Sequence, residues 1–378
     1  MDRQTMISSD EQKRIEAVKT AFAVHVQGGP DPESILQCGP SNRTQSFDPS
    51  RRISPSAPIN GCSSSSSSTS TCPEYIRWIH EDLRPWSTKG ISRETVESAM
   101  KLATFRLVVL NGSVYVDTYH GAFQTRDVFT QWGILQLLRR YPRRVPDLDL
   151  MFACGDPPSV KARDYEGPHA PVPPPLFGYC GNTDTLDLVL PDWSFWEDLP
   201  EVNIKSWVPL AEELEEANRR LKWMDREPHA YWKGNPHVAA TRQDLLKCNV
   251  SRKKDWNARL YAQIYIEGVA WSVSQKYILA CNSLTLLVKP RFYDFFTRGL
   301  MPLQHYWPIR DNNKCTSIKF AVEWGNSHKT KAQEIGKAAS KFIQEEVKMD
   351  YVINKEIHDG IHGNLPKGFK PMYIATSI

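Results

Sequence analysis

The chain has 378 residues, 40% hydrophobic and 24% charged, enough for one large or two medium globular domains with ample core. Its formal net charge of +4 is small for that length and gives no reason to propose a nucleic-acid partner, which needs a concentrated basic stripe. No apolar run approaches a membrane span: the best candidate, Ala21 to Val24, is far too short, and the N-terminus has no apolar signal core.

Residues 1–71 are rich in Ser, Pro, Asn and Asp and include the tract Ser63 to Ser68. Such a segment buries too little apolar surface to offset its ordering entropy, so a disordered leader is expected, with one short helix around Glu11 to Val24. From Cys72 the texture becomes globular. Tyr75, Ile76, Trp78 and Ile79 recur at helical spacing. Phe105 to Leu110, then Asn111-Gly112, then Val114 to Val116 predicts a hairpin, because Asn-Gly accepts the positive φ angles of a type I′ turn. Thr125 is placed to cap a helix whose apolar face is Val128, Phe129, Trp132, Leu135 and Leu138, and which stops near Tyr141-Pro142. The pairs Arg139-Arg140 and Arg143-Arg144 at its end read as solvated or phosphate-facing charge. Leu148 to Cys154 is a nearly continuous apolar run, as expected of a buried strand. Residues 157–176 carry Pro157, Pro158, Pro168, Pro171 and Pro173 to Pro175, and read as an irregular connection of the kind that borders active sites. Further strands are predicted at Leu186 to Leu190, Ala230 to Trp232, Ile264 to Ile266 and Leu284 to Val288. Helices are predicted at Arg242 to Lys247, Ser272 to Ala280 and Thr316 to Trp324. The alternation implies an α/β fold with parallel sheets.

Eight cysteines lie at 38, 62, 72, 154, 180, 248, 281 and 315 without a CxxC pair, so no zinc ribbon or thioredoxin-like site is written, and the spacing leaves buried thiols and disulfides both open. Sequons at Asn42, Asn111 and Asn249 favour a secretory compartment only weakly. Dinucleotide, P-loop, zincin and α/β-hydrolase motifs are missing. Four constellations remain. Cys154-Gly155-Asp156 follows a strand, where open α/β sheets collect ligands, although a plain turn aspartate before Pro157 is the commoner outcome. Pro191 to Glu197 is dense in aromatics, which usually means core and sometimes a sugar-stacking face. Tyr231-Trp-Lys-Gly-Asn-Pro236 with Arg242 opening a helix makes either an anion site or an ordinary βα turn. Glu267-Gly-Val-Ala-Trp-Ser-Val-Ser274 again runs from strand through glycine to helix start, with backbone N–H groups that suit a diphosphate.

In this order, the four segments resemble glycosyltransferase family 90, the capsule-associated-protein (CAP) domain of Rumi-type protein O-glucosyltransferases, and its plant members above all. The likeness is carried by Cys72-Pro-Glu-Tyr-Ile-Arg-Trp-Ile-His-Glu-Asp-Leu83, Gln124-Thr-Arg-Asp-Val-Phe129, Pro191-Asp-Trp-Ser-Phe-Trp196, Tyr231 to Pro236 and Tyr265 to Ser272. It continues through Tyr293-Asp-Phe-Phe296, Gly299 to Pro308 and Ala321-Val-Glu-Trp-Gly-Asn326. The resemblance implies a GT-B architecture, two Rossmann-like lobes over a donor cleft, with no metal or other cofactor. A catalytic-base and acceptor lobe is expected over 72–205, a donor lobe over 206–350 and an irregular tail over 351–378.

The resemblance further implies transfer of glucose or xylose from a UDP-sugar to a protein serine or a glycan, with inversion. Asp156 falls on the family's catalytic base. Asn235, Arg242, Val269, Ala270, Trp271, Ser272, Val273 and Ser274 fall on donor-contacting positions. Arg126, Trp193, Phe195, Trp196 and Trp207 fall on the acceptor and sugar side. Family members carry an arginine at the position of Ser274, so that phosphate contact is expected either to be absent here or to come from Lys276. They also carry an extra stretch between the positions of Gln263 and Ile264, ending in the partner of Cys281, which is expected to be unpaired here. An N-terminal membrane anchor and a closing C-terminal helix belong to the family and are not seen in this sequence. The expected location is the ER or Golgi lumen, and the rival reading is an inactive variant that keeps the fold as a binding module.

Overall fold

The computed structural model describes residues 75, 77–142, 145–196, 205–226, 230–248, 262–347 and 370–371. The expected leader and its helix at Glu11 to Val24, and most of the tail, lie outside them. After Tyr75 the first helix, α1 (Arg77–Asp82), and then α2 (Arg93–Ser98) lead into the hairpin β1 (Phe105–Leu110) and β2 (Ser113–Thr118). The turn forms as its residues dictate: Asn111 and Gly112 have φ of 51° and 74°, the left-handed pair that joins two strands without splaying them. Then follow α3 (Arg126–Arg140), β3 (Leu148–Phe152), β4 (Leu176–Gly178), β5 (Leu188–Val189), α4 (Trp207–Arg220) and β6 (Ala230–Tyr231). The second half runs α5 (Ala240–Leu246), β7 (Ala262–Tyr265), α6 (Ser274–Leu279), β8 (Leu284–Val288), β9 (Trp307–Ile309), α7 (Lys314–Ser327) and α8 (Lys329–Lys341). A short strand, β10 (Lys370–Pro371), closes the order.

Two sheets result. The first has the order β10-β2-β1-β3-β4-β5, and the second β6-β7-β8-β9. The second is parallel throughout, as strand–helix alternation dictates. The first is mixed: the hairpin imposes antiparallel pairing of β2 with β1, β3 also runs antiparallel to β1, and only β3-β4-β5 are parallel. The expectation of parallel sheets therefore holds for one sheet and half of the other.

Helix α3 stops at Tyr141, before the proline, as expected. Of the predicted apolar face, Phe129 is buried and Trp132, Leu135 and Leu138 pack half-buried against the same core, which also takes Ile134. The Trp196 indole lies directly over Gly133. Thr125 precedes the helix in the left-handed region without a side-chain cap bond. The proline-rich connection holds only a short helical turn, Ala162–Tyr165.

The halves are joined by side chains and by backbone. Gly181, beyond β4, and Tyr293, beyond β8, exchange N–H···O=C bonds of 3.0 and 2.9 Å. Arg298 donates from both terminal nitrogens to Asp82, at 2.6 Å each, and its guanidinium lies over the Tyr293 ring. Tyr75, Phe195, Trp207, Leu279, Phe296 and Phe342 share one core drawn from both halves. A Cys248–Cys315 disulfide ties the end of α5 to α7, while Cys154, Cys180 and Cys281 are free thiols.

Candidate active site

Strand β3 delivers its chain end into a turn fixed on every side. The Ala153 N–H donates to the Phe177 carbonyl (2.8 Å), and the Cys154 N–H to Thr104 Oγ1 (3.0 Å). Beyond the turn, the buried Asp187 carboxylate accepts from the N–H groups of Ser159 and Val160 at 2.8 and 2.9 Å. Burial pushes the Asp187 carboxyl up to about 6 in spite of those two bonds. The chain between these anchors carries Asp156, whose side chain stays 40% exposed.

Arg126, the first residue of α3, reaches Asp156 from below. Its Nη1 donates to Asp156 Oδ1 at 2.5 Å, and its Nη2 to Gln124 Oε1 at 3.2 Å. The guanidinium lies over two rings, with the Phe123 centroid at 5.4 Å and the Trp193 centroid at 5.3 Å. Among the described residues Arg126 is the only side-chain partner of the Asp156 carboxylate, through Oδ1. The Cys180 thiol donates to the Asp156 carbonyl (3.2 Å), and burial raises its pKa so that it keeps that proton. Gln124 and Thr125 both take positive φ (56° and 51°), which costs a non-glycine residue roughly 1–2 kcal/mol each.

The second half contributes a cation without a counter-ion. Arg242 on α5 donates from Nε to the Glu267 carbonyl (2.8 Å), from Nη2 to that of Ile266 (3.2 Å) and from Nη1 to that of Asn235 (3.3 Å). Among the described residues no carboxylate pairs with it. Glu267 is turned away, accepting from the N–H groups of Arg291 and Phe292. Burial pulls the Arg242 guanidinium down from its ordinary value, though an arginine stays protonated under physiological conditions. Asn235 Oδ1 accepts from the His237 N–H (2.9 Å) and so shapes the loop that enters α5.

The two sets of groups converge on one loop. Ala270 and Trp271, past the end of β7, are buried in the same core as Cys154, Tyr179, Cys180 and Trp193, with the Trp271 ring 5.5 Å from that of Tyr179. One end of the loop, Ile266 and Glu267, therefore holds Arg242, and its other end packs beside the turn that carries Asp156. Val269 between them is exposed.

Other predicted residues are placed differently. Trp193, Phe195 and Trp207 are 4%, 2% and 2% exposed and belong to the cores, so they offer no face for a sugar to stack on. Trp196 is packed against the same core, over Gly133. Trp193 alone touches the site, as the inner ring under Arg126. The Ser272 N–H is committed to the Tyr265 hydroxyl (3.1 Å), and the Ser272 and Ser274 hydroxyls bond each other (2.9 Å). Lys276 is not a phosphate ligand: it is 1% exposed, 3.5 Å from Asp192, bonded to Ser194 and placed over the Phe195 ring. Its charge neutralises a buried aspartate across the junction of the halves. Asp187, Cys180 and Gln124 were not singled out from the sequence, and no local signal marks them, because each acts through a partner distant in the chain or through an unusual backbone angle. Among the described residues, no three His, Cys, Asp or Glu side chains gather as a metal site.

Comparison with known proteins adds an independent line. The profile of the family described as Glycosyl transferase family 90 matches residues 67–263 and 261–358. The chain is similar to "O-glucosyltransferase rumi" of Drosophila pseudoobscura pseudoobscura, 22% identical over 359 residues, covering 85% of each chain. It is likewise similar to "Protein O-glucosyltransferase 1" of Rattus norvegicus and of Homo sapiens, each 24% identical across 75% of this chain and 78% of the relative.

Proposed function

The chain belongs to glycosyl transferase family 90 and is a glycosyltransferase, and from that premise we propose that it transfers glucose from UDP-glucose to a serine hydroxyl of a protein acceptor. The observation that carries this reading is the 266–271 loop: its first end holds Arg242, which among the described residues pairs with no carboxylate. Its other end shares a core with Cys154 and Cys180, which flank and bond the turn of Asp156. The two sheets are read as the two lobes of a GT-B arrangement, with the donor between them.

In the proposed reaction Asp156 accepts the serine proton as the serine Oγ bonds to the anomeric carbon. The bond from that carbon to the diphosphate breaks on the opposite face, and UDP leaves with the electron pair and the added negative charge. Inversion follows from the single displacement. Arg126 aims the carboxylate through its bond to Oδ1. Arg242 carries the positive charge that the leaving diphosphate needs, and its guanidinium suits phosphate oxygens. The Cys248–Cys315 disulfide supports an oxidising lumen of the endomembrane system as the place of action.

Removal of the base tests the assignment. Asp156→Asn is expected to lower turnover about 10²- to 10⁴-fold, read as UDP release with UDP-glucose and acceptor, while UDP still stabilises the variant against heat. Normal turnover in that variant would discard Asp156 as the base. The rival reading, a fold kept without turnover, draws on the family match, which comes in two stretches meeting at 261–263 where a donor-half segment is expected to be missing. Saturating UDP decides between them: a ligand at 100 times its Kd raises folding stability by about 2.7 kcal/mol, and an unmoved melting temperature would favour the rival.

A further inference from the structure

Helix α7 and the edge strand β9 carry a ladder of rings on the second half of the molecule. Phe320 of α7 is 60% exposed, and its ring centroid lies 6.3 Å from that of Trp307, the first residue of β9. Trp307 is also 4.4 Å from Trp324, and Trp324 stacks on His328 at 4.8 Å with the planes 14° apart. Phe320, Trp324 and His328 recur every four positions, so they form one stripe that climbs α7 by about 6 Å per step, the scale of a single pyranose unit. The rings are held before any ligand arrives. Trp307 and Trp324 pack half-buried against the core of the second sheet, and His328 Nδ1 donates to the Trp324 carbonyl at 2.9 Å. Binding on such a surface costs little ordering entropy.

The surroundings choose the ligand. Three and four positions from Phe320 along the helix stand Thr316, Ser317, Glu323 and Trp324, of which Thr316 and Glu323 are exposed. Glu323 pairs with Lys319 at 3.7 Å, so the rim is polar without a net charge. A stable protein interface takes roughly 800 Å² from each partner. A phenyl ring offers about 200 Å², and its exposed neighbours on this helix are polar. An aromatic surface rimmed by hydroxyl and carboxylate groups matches a neutral sugar instead, whose ring has C–H bonds on its faces and hydroxyls around its edge. The rings of Trp193, Phe195 and Trp207, which are buried, do not provide such a surface.

We propose that Phe320, with Trp307 and Trp324, forms a second carbohydrate site, which binds a chain of neutral sugar residues lying along α7. It stands apart from the proposed donor cleft. Trp307 is level with Leu286 of β8, which is level with Ile264 of β7, so two strand spacings, roughly 10 Å, separate it from the strand that leads to the Arg242 loop. The site takes no part in the transfer. It holds a glycan or a glycan-bearing molecule against the edge of the second sheet, whether or not the cleft turns over.

The test uses the full chain and a panel of neutral hexasaccharides (xylohexaose, cellohexaose, mannohexaose and maltohexaose), titrated by calorimetry at millimolar sugar. At least one is expected to bind with saturating UDP present. Phe320→Ala should weaken that binding about fivefold, the worth of one aromatic contact, and Phe320→Tyr, which keeps the ring, should restore it. The melting temperature and the Kd of UDP should stay the same in both variants. The proposal is overturned if no hexasaccharide binds, or if Phe320→Ala binds as the wild type does. Displacement of the sugar by UDP would also overturn it, by putting the sugar in the cleft. So would a wild type that pairs in solution by light scattering and that Phe320→Ala returns to single chains, since a second copy would then cover the rings. None of these results bears on the transferase reading, which is judged on UDP binding and on Asp156→Asn.

Discussion

At position 305 the chain buries an imidazole against the Phe342 ring, with Nδ1 accepting from the Met301 N–H at 3.0 Å. Burial alone pulls this histidine from 6.5 down to about 4. Between those values the unfolded chain binds a proton that the folded chain refuses, so stability is full above about 6.5 and is lost as pH falls towards 4. The full loss is on the order of 3 kcal/mol for a shift of this size. His305→Gln, which keeps an acceptor without the charge, should flatten the fall of melting temperature across that window, and an unchanged slope would remove His305 as a cause. Arg242 answers to a different measurement. Arg242→Ala is expected to weaken UDP binding roughly 10- to 100-fold by calorimetry, the worth of one to two charge-assisted bonds. Unchanged affinity would put the donor elsewhere. The sequence marks position 156 as a carboxylate after a buried strand, and the structure places it in the turn beyond β3 with its side chain 40% exposed. The pairing of Arg126 with Asp156 was not legible there, since 30 residues separate the two. Lys276 was misread for a related reason: sequence gives a lysine as a free charge, and only the fold brings Asp192 to it.

Elements with local causes were the readable ones. The Asn-Gly hairpin, β8 at Leu284–Val288 and the end of α3 before Pro142 all depend on neighbours in the chain. Strands β4 and β9 escaped because each has three residues beside or including proline and gains its pairing only from the rest of the sheet. Helices α4 and α8 escaped because charged faces obscure narrow buried stripes. Helix α8 crosses the start of β8 at Gly336, where an added Cβ would come within 2.6 Å of the Ser283 carbonyl carbon and 3.0 Å of the Leu284 nitrogen. Backbone cannot retract as a side chain does. Gly336→Ala should therefore destabilise the protein by about 1–3 kcal/mol, although alanine is the better helix former. A lower urea midpoint at unchanged slope would show it, and an unchanged midpoint would mean that α8 moves freely off the sheet.

Over the whole molecule, the disulfide and the junction of the halves decide how stability is shared. Cys248 and Cys315 are 67 residues apart in sequence, and closing a loop of that length removes about 4 kcal/mol of unfolded-state freedom in the chain-entropy picture. A reductant should lower the melting temperature, and Cys248→Ser with Cys315→Ser should lower it without any reductant present. A variant as stable as the wild type would show that the bridge adds nothing. Strand–helix alternation predicted α/β layers with parallel pairing, but not the way the two sheets meet. Arg298 with Asp82, and Lys276 with Asp192, are charge pairs that cross from one half to the other, and a buried charge stripped of its partner is expensive.

The exchange of two backbone bonds between Gly181 and Tyr293 carries the same logic into the main chain. At that point each half supplies one donor and one acceptor to the other. A chain severed between them would hand each product a torn edge and a charge parted from its partner.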